Sequence, residues 1–482
     1  MELHLQFLFL YLPLLSLLYF LGRIIINKST FSPPGPLGLP FIGNLHQINH
    51  SNLHTSLWQL SKSYGPILSL NFGFIPTIVV SSASLAKEVL KTQDVTFCSR
   101  PTLLGLSKVT YNAHDVIFSP FNKNWRMTRK IFVHHLLGPK RVPSFRHIRE
   151  DEVSSAMKNI QGLALSSKHV NLSEIMKSVT SNMMLRVGFG KMYEDGHERK
   201  EVLRLINEVQ VVSADFFVSD LWPGLPFAVW LIRLIDEHLN PQNLKSRDEE
   251  EDFVDILLQL KKEQIPDLTY DHIKAILMNV LVAGTDTTAT TVVWAMTALI
   301  TNPKVMKKAQ EEVRNVVGGK GKVDEDDLPK LIYLKAVVKE TLRLYPPSPL
   351  LVPRETTKET ILHGYKVKPK TLVFVNALAI GRDPECWERP EEFLPERFVG
   401  SAIDFRGNDF KLIPFGGGRR ICPGISMGDV MVNLLLANLI YLFDWDLMDG
   451  MRKKDIDFGV LNGITMQKRN ELCLLAHVYT CK

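Results

Sequence analysis

The sequence predicts a mainly helical α+β fold with small β-sheets, preceded by one N-terminal transmembrane helix. Three observations carry this. From about residue 82 to residue 343 most of the chain has helical composition. Short alternating stretches, ILSLNFGFIPTIVVSS early on and residues 371–376 later, read as strands. The opening run MELHLQFLFLYLPLLSLLYFLG is apolar for nearly its whole length, close to the roughly 20 residues that cross a bilayer.

Taken in order, the opening run reads as an uncleaved signal anchor over residues 1–30. Glu2 precedes it, Arg23 and Lys28 follow it, and no small-residue cleavage site ends it. The positive-inside rule then puts everything after it in the cytoplasm, although His4, Gln6 and Pro13 interrupt the span. Residues 31–44 contain SPPGPLGLPFIGN, a stiff Pro/Gly hinge expected to run extended and hold the body away from the bilayer. The body, residues 45–482, opens with a hairpin expected to break at Gly73 and Pro76, and closes with a strand pair expected around GVLNGITMQ.

With 45% hydrophobic and 22% charged residues over 482 positions, the chain has ample core and no disordered-class bias. A net charge of +6 is mild for this length and argues against a nucleic-acid partner. The five cysteines are scattered without a C-x-x-C pair, which argues for a reducing compartment over a disulfide framework.

The stretch PFGGGRRICPG, ending at Gly424, carries the chemistry. Glycines 416 to 418 permit positive φ and close approach to a flat ligand. Pro423 suits the first turn of a helix continuing through ISMGDVMVNLLLANLIYLF, so Cys422 sits where a helix N-terminus lowers a thiol pKa. Arg420, two residues away, is placed to meet an anion beside the sulfur. No Lys-Ser/Thr follows the glycines, so this is not a phosphate loop, and no second ligand at zinc spacing is present. A reactive redox cysteine stays open on this loop alone.

Phe415, Gly418, Arg420, Cys422 and Gly424 form F-x-x-G-x-R-x-C-x-G, which resembles the haem-binding signature of the cytochrome P450 family. The resemblance implies the cytochrome P450 fold, haem b as cofactor, and the Cys422 thiolate as axial ligand of the iron. AGTDTT, residues 283–288, lies inside a long apolar run and on its own reads as a bent core helix with satisfied hydroxyls. The resemblance makes Asp286 and Thr287 the acid–alcohol pair that delivers protons during oxygen activation. Glu340 and Arg343 in KETLR, alone an ordinary helical pair, join Arg397 of PERF as the family's buried structural cluster, implied to anchor the cysteine loop. Trp125, Arg129, Arg354 and Arg100 resemble positions that hold the haem propionates, beside Arg420 and Phe415 in the cofactor site.

The resemblance spans nearly the whole chain and is similar to the plant microsomal A-type branch (family 71-like). It implies a monooxygenase of the endoplasmic reticulum membrane, single-pass with a cytosolic catalytic domain. The enzyme would take electrons from an NADPH–cytochrome P450 reductase and oxidise a lipophilic small molecule, a plant specialised metabolite. Arg126, Lys130 and Arg419 are candidate reductase contacts. Expected pocket walls are Leu103, Leu104, Val109, Phe118, Val212, Phe216, Ala283, Leu350, Leu351, Val352, Leu461 and Ile464. An oxygen-independent haem-thiolate isomerase or dehydratase is a second reading, against which Asp286 and Thr287 argue, and a haem sensor is a third. The chain is short between Phe216 and Asp236, where this branch carries a lid over the substrate entrance.

Overall fold

A long helix threads the core and a second one lies against it, and between them they position the chemistry. In the computed structural model, which describes residues 32–40, 42–102, 110–190, 252–262 and 267–480 together with Arg204, Ile206, Val209 and Ile265, the helices that matter are seven. They are α1 (Lys123–Ile131), α2 (Arg146–Leu165), α3 (Leu172–Phe189), α4 (Tyr270–Thr301), α5 (Pro303–Val317), α6 (Ile332–Leu344) and α7 (Ile425–Leu442). The predicted membrane helix, the short segment between Phe216 and Asp236, and Leu103, Leu104, Val109, Val212 and Phe216 lie outside the described residues.

Helix α4 is apolar on nearly every face, which suits only a helix surrounded by protein. Its side chains from Ala289 to Leu299 are all buried, with Trp294 completely enclosed. The threonines on it do not compete with the helix. Thr287 donates to the Ala283 carbonyl at 2.6 Å, Thr291 to Thr287 at 2.8 Å and Thr297 to Val293 at 2.7 Å, each one turn back. The expected satisfied hydroxyls are therefore present at these three positions of a continuous helix, whereas the Thr285 hydroxyl is buried without a hydrogen-bond partner. Helices α4 and α7 are long and apolar enough to cross a membrane, but both are largely buried in this core.

The early hairpin forms as read, with β1 (Ile67–Phe72) antiparallel to β2 (Ile75–Val80). The chain turns at Gly73, whose φ is +58°. Pro76 does not break the strand. It pairs with Asn71 on β1, and β2 meets its other neighbour only from Thr77 onward, so the missing N–H falls outside that second ladder. That neighbour is β4 (Leu372–Val375), parallel to β2, and β3 (Arg354–Glu355) closes the sheet in the order β1-β2-β4-β3.

Two expectations are corrected. The C-terminal strand pair is β5 (Phe443–Leu447) with β6 (Cys473–Val478), while GVLNGITMQ forms a loop closed by a single Val460–Lys468 bridge. Its polar and glycine-rich middle favours turns over a ladder. The Pro/Gly hinge is no free spacer either. Ser69 donates its N–H to the Pro34 carbonyl at 2.8 Å, and a Cβ on Gly35 would stand 2.0 Å from the Ser69 oxygen. The hinge thus covers the open edge of β1, where bare backbone groups would otherwise face water.

Candidate active site

The cysteine loop is held by glycine geometry and by one carboxylate. Gly416 and Gly418 have φ of +72° and +65°, while Gly417 is extended. The close approach that requires Gly418 is to protein, since a Cβ there would lie 1.9 Å from the Leu90 carbonyl oxygen. Asp94 accepts the Arg419 N–H at 3.0 Å and lies 3.3 Å from its guanidinium. Cys422 donates its own N–H to Phe415 at 3.0 Å, and its Sγ accepts the Gly424 N–H at 3.3 Å. Helix α7 starts at Ile425 with Gly424 as N-cap, so Pro423 precedes the helix and does not form its first turn. The expected lowering of the thiol pKa is not what the apolar surroundings produce. Burial pushes the Cys422 thiol up, and the Gly424 N–H and Arg129 only partly oppose it.

Cys422 opens onto a cavity of about 300 Å³. Of the expected site residues, Arg100, Phe118, Arg129, Ala283, Thr287, Leu351, Val352, Arg354, Phe415, Arg420 and Ile464 line it. Leu350 packs instead against the early sheet, and Leu461 is exposed at 44% because its loop turns outward. Trp125 is buried beside the site but absent from its wall. Its indole donates to the Val116 carbonyl at 3.1 Å, and its ring stacks beneath Arg420, 4.1 Å away.

The arginines define what the cavity is built to receive. Arg420 donates to the carbonyls of Cys98 and Ser119 at 2.8 and 2.6 Å, and Arg100 to those of Ile117, Val352 and Pro353. These bonds orient the two guanidiniums without neutralising them. Burial and then the neighbouring Arg354 push Arg420 down to about 9. Burial pushes Arg354 down to about 10, with Asp94 opposing at 3.6 Å. Burial also lowers Arg100, helped by Arg420 and Arg354, and it lowers Arg129. Arg354 Nη1 is buried without a hydrogen-bond partner. Crowded cations and an orphaned donor at an otherwise apolar cavity call for an anionic group, and a haem carrying carboxylates fits that donor set.

Asp286 and Thr287 do not touch. The Thr287 hydroxyl is committed to Ala283 on the cavity wall, whereas the Asp286 carboxyl, 1% exposed, is gripped by the C-terminal loop. Gln467 Nε2 donates to its two oxygens at 2.7 and 2.6 Å, and Thr465 donates a further short hydrogen bond to Oδ2. Burial pushes the carboxyl up, opposed by Thr465, Lys177 and Gln467. Thr465 lines the cavity and Asp286 does not.

A family model described as Cytochrome P450 matches residues 33–474. The chain belongs to the cytochrome P450 family. It is 46% identical to a 6,7,8-trihydroxycoumarin synthase of Pastinaca sativa, over 98% of this chain and 98% of that one. It is 45% identical to a 5-OH-xanthotoxin synthase of Ammi majus, over 93% of each, and 45% identical to Cytochrome P450 71A1 of Persea americana, over 90% and 91%. A zebra fish cytochrome P450 solved with abiraterone superimposes with a TM-score of 0.77 at 26% identity, covering 88% of this chain and 99% of that one. This P450 is therefore a haem-thiolate monooxygenase that oxidises a lipophilic small molecule, and its fold is that of the family.

The P450's Glu340, Arg343 and Arg397 do come together. Glu340 and Arg343 are fully buried and bonded bidentately at 2.7 and 2.8 Å, and Arg397 Nε joins Glu340 at 3.1 Å. Arg343 also donates to the carbonyls of Gly381, Pro390 and Glu392, and Leu394 donates its N–H to Glu340. The cluster therefore ties down residues 381–394, while the direct anchors of the cysteine loop are Asp94 and Arg354, the latter donating to Gly417 at 3.1 Å. Sequence reading missed Asp94, Thr465, Gln467 and Asn279. Asn279 lines the cavity on α4 and accepts the Val116 N–H at 2.9 Å. Only Asn279 carried a signal, as a polar residue in an apolar run; Asp94 opens a short helix and Thr465 and Gln467 lie in a loop, and the partners of all three are distant in the chain.

Proposed function

We propose that this P450 binds haem b with Cys422 as the iron's axial thiolate, and that it hydroxylates a coumarin-type aromatic lactone. When bound, the haem supplies the oxygen chemistry. Cys422 would hold it from the loop side, and Arg100, Arg129, Arg354 and Arg420 would take its carboxylates, with Trp125 steadying Arg420 from beneath. Thr287 stands on the cavity wall with its own proton given to the Ala283 carbonyl, so its oxygen would serve a bound ligand as an acceptor. Burial favours the protonated form of Asp286, with Thr465, Lys177 and Gln467 opposing it. Among the described residues the rest of the wall is mostly apolar, including Val282, Leu351, Val352 and Ile464, which excludes water and suits a flat hydrophobic ring.

The observation that carries the substrate class is 46% identity, over essentially full length, to a protein named for making a trihydroxycoumarin. A panel of coumarins, furanocoumarins and monoterpenes titrated into the purified haem protein tests it. Coumarins are expected to give a saturable substrate-type Soret shift and a product one oxygen heavier. Turnover of monoterpenes alone would refute the class.

The proposal extends to the endoplasmic reticulum membrane, entered by residues 1–30, and to an NADPH–cytochrome P450 reductase. Arg126 and Lys130 on α1 are exposed, and Arg126 lies 4.8 Å over the Phe121 ring; Arg419 is partly neutralised by Asp94. Reversing Arg126 and Lys130 to glutamate is expected to slow reduction several-fold at low salt and less at high salt, with substrate binding unchanged. Stopped-flow reduction at two ionic strengths reads this directly. An unchanged rate at both would remove this face from the docking site.

A further inference from the structure

The Asp286 carboxyl and the cavity are joined through a residue that is far from both in sequence. Thr465 and Gln467 flank Met466 in the C-terminal loop, and that loop is fixed from two sides. Met466 donates its N–H to the Pro347 carbonyl at 2.8 Å, and its own carbonyl accepts the Trp294 indole at 2.6 Å. The chain turns tightly at Met466, where the Gln467 N–H donates to the Thr465 carbonyl at 3.0 Å, and the side chains on either side both meet Asp286. Thr465 is 4% exposed and Gln467 9%. Gln467 is held in turn by Lys177 on α3, whose Nζ donates to its Oε1 at 2.8 Å. The sequence-implied partner, Thr287, makes no such contact, because its hydroxyl is spent on Ala283.

We propose that protons pass between Asp286 and the cavity through the Thr465 hydroxyl, with Gln467 and Lys177 as positioning residues that hold the carboxyl and set its acid strength. The proposal rests on reading Asp286 as the proton-supplying acid. In each passage the Thr465 hydroxyl, which otherwise donates to Oδ2, first turns its proton toward the cavity, and the carboxyl O–H of Asp286 then breaks as its proton bonds to Thr465 Oγ1. The original hydroxyl proton of Thr465 leaves to a water in the cavity. Asp286 remains as a carboxylate until solvent restores its proton, and no electrons move. Thr465 is suited to this because its oxygen touches the carboxyl and the residue itself lines the cavity. Gln467 bonds both carboxylate oxygens, which stabilises the ionised form. The charged group facing Asp286 from α3 is Lys177, which favours that form further. Lys468, next on the loop, turns away to the Asp457 carbonyl and the Trp294 ring.

Two measurements test this, the first without turnover. Infrared titration of the resting haem protein follows the protonated-carboxyl band that Asp286→Asn removes. Lys177→Met is expected to move its midpoint upward by about one pH unit, since a nearby cation no longer favours the carboxylate; Lys177→Arg is expected to keep it. The second follows product and peroxide formed per reduced cofactor consumed, with a dihydroxycoumarin as probe. Thr465→Val is expected to lower the product share by about 10² while the carbon-monoxide spectrum and probe affinity hold, and Thr465→Ser is expected to restore it. Coupling in Thr465→Val equal to the parent, with Asp286→Asn uncoupled, would overturn the relay and leave Asp286 as the acid. Full coupling in Asp286→Asn would overturn the reading of Asp286 itself. Should Thr465→Val lose haem, the midpoint in Lys177→Met decides, and an unmoved midpoint counts against the network.

Discussion

Cys422→Ala is expected to abolish the thiolate-type carbon-monoxide difference spectrum completely, while serine at Cys98, Cys386 or Cys473 leaves it intact. Cys422 is the one of these four whose side chain lines the cavity. Cys98 is buried with its thiol turned to the Val95 carbonyl, Cys386 is turned to Asp383, and Cys473 lies on β6. Burial pushes all four thiols up, so none is a thiolate by virtue of its surroundings alone. What separates Cys422 is access to the cavity together with the Gly424 N–H and Arg129, which favour its ionised form. A persisting thiolate-type band in Cys422→Ala, or its loss in Cys98→Ser with the fold intact, would overturn the assignment.

Glu340→Gln is expected to cost about 3–5 kcal/mol, because it leaves the Arg343 guanidinium buried without its counter-charge. Neutral glutamine keeps the volume and offers one acceptor oxygen, but it turns an amide donor toward a cation that has no exposure to water. Arg397→Lys is expected to cost much less, since Arg397 is 12% exposed and bonds Glu340 through a single nitrogen at 3.1 Å. Urea unfolding of the two variants, read beside haem retention, separates them. Equal midpoints for Glu340→Gln and the parent would mean that the cluster is dispensable. The size of the expected loss also explains why a residue that touches no cavity atom belongs with the site: residues 381–394 hang from it.

The elements that were legible in sequence are those whose cause is local. The β1–β2 hairpin follows from alternation and from Gly73, and α4 from a long, predominantly apolar run; the structure adds the Thr269 cap at its start. The pair of Glu340 and Arg343 follows from helical spacing. The C-terminal strands were misplaced because GVLNGITMQ has strand-like residues but finds no ladder partner beyond Val460–Lys468. The hinge was read as a spacer because covering the β1 edge depends on Ser69, which lies 35 positions from Pro34 in chain order.

By itself the sequence determined the family and the helical frame, and it named the cysteine and the arginines that the fold brings to one cavity. Only the tertiary structure decided what those groups do to one another. It turned the Trp125 indole to Val116 and stacked its ring on Arg420, and it separated Asp286 from Thr287 although they are adjacent. The physical reason is that neighbouring residues on a helix point about 100° apart. A buried carboxyl takes its hydrogen bonds from whatever donors the fold packs against its own face. For Asp286 those donors are Thr465 and Gln467, at sequence separations of 179 and 181 residues.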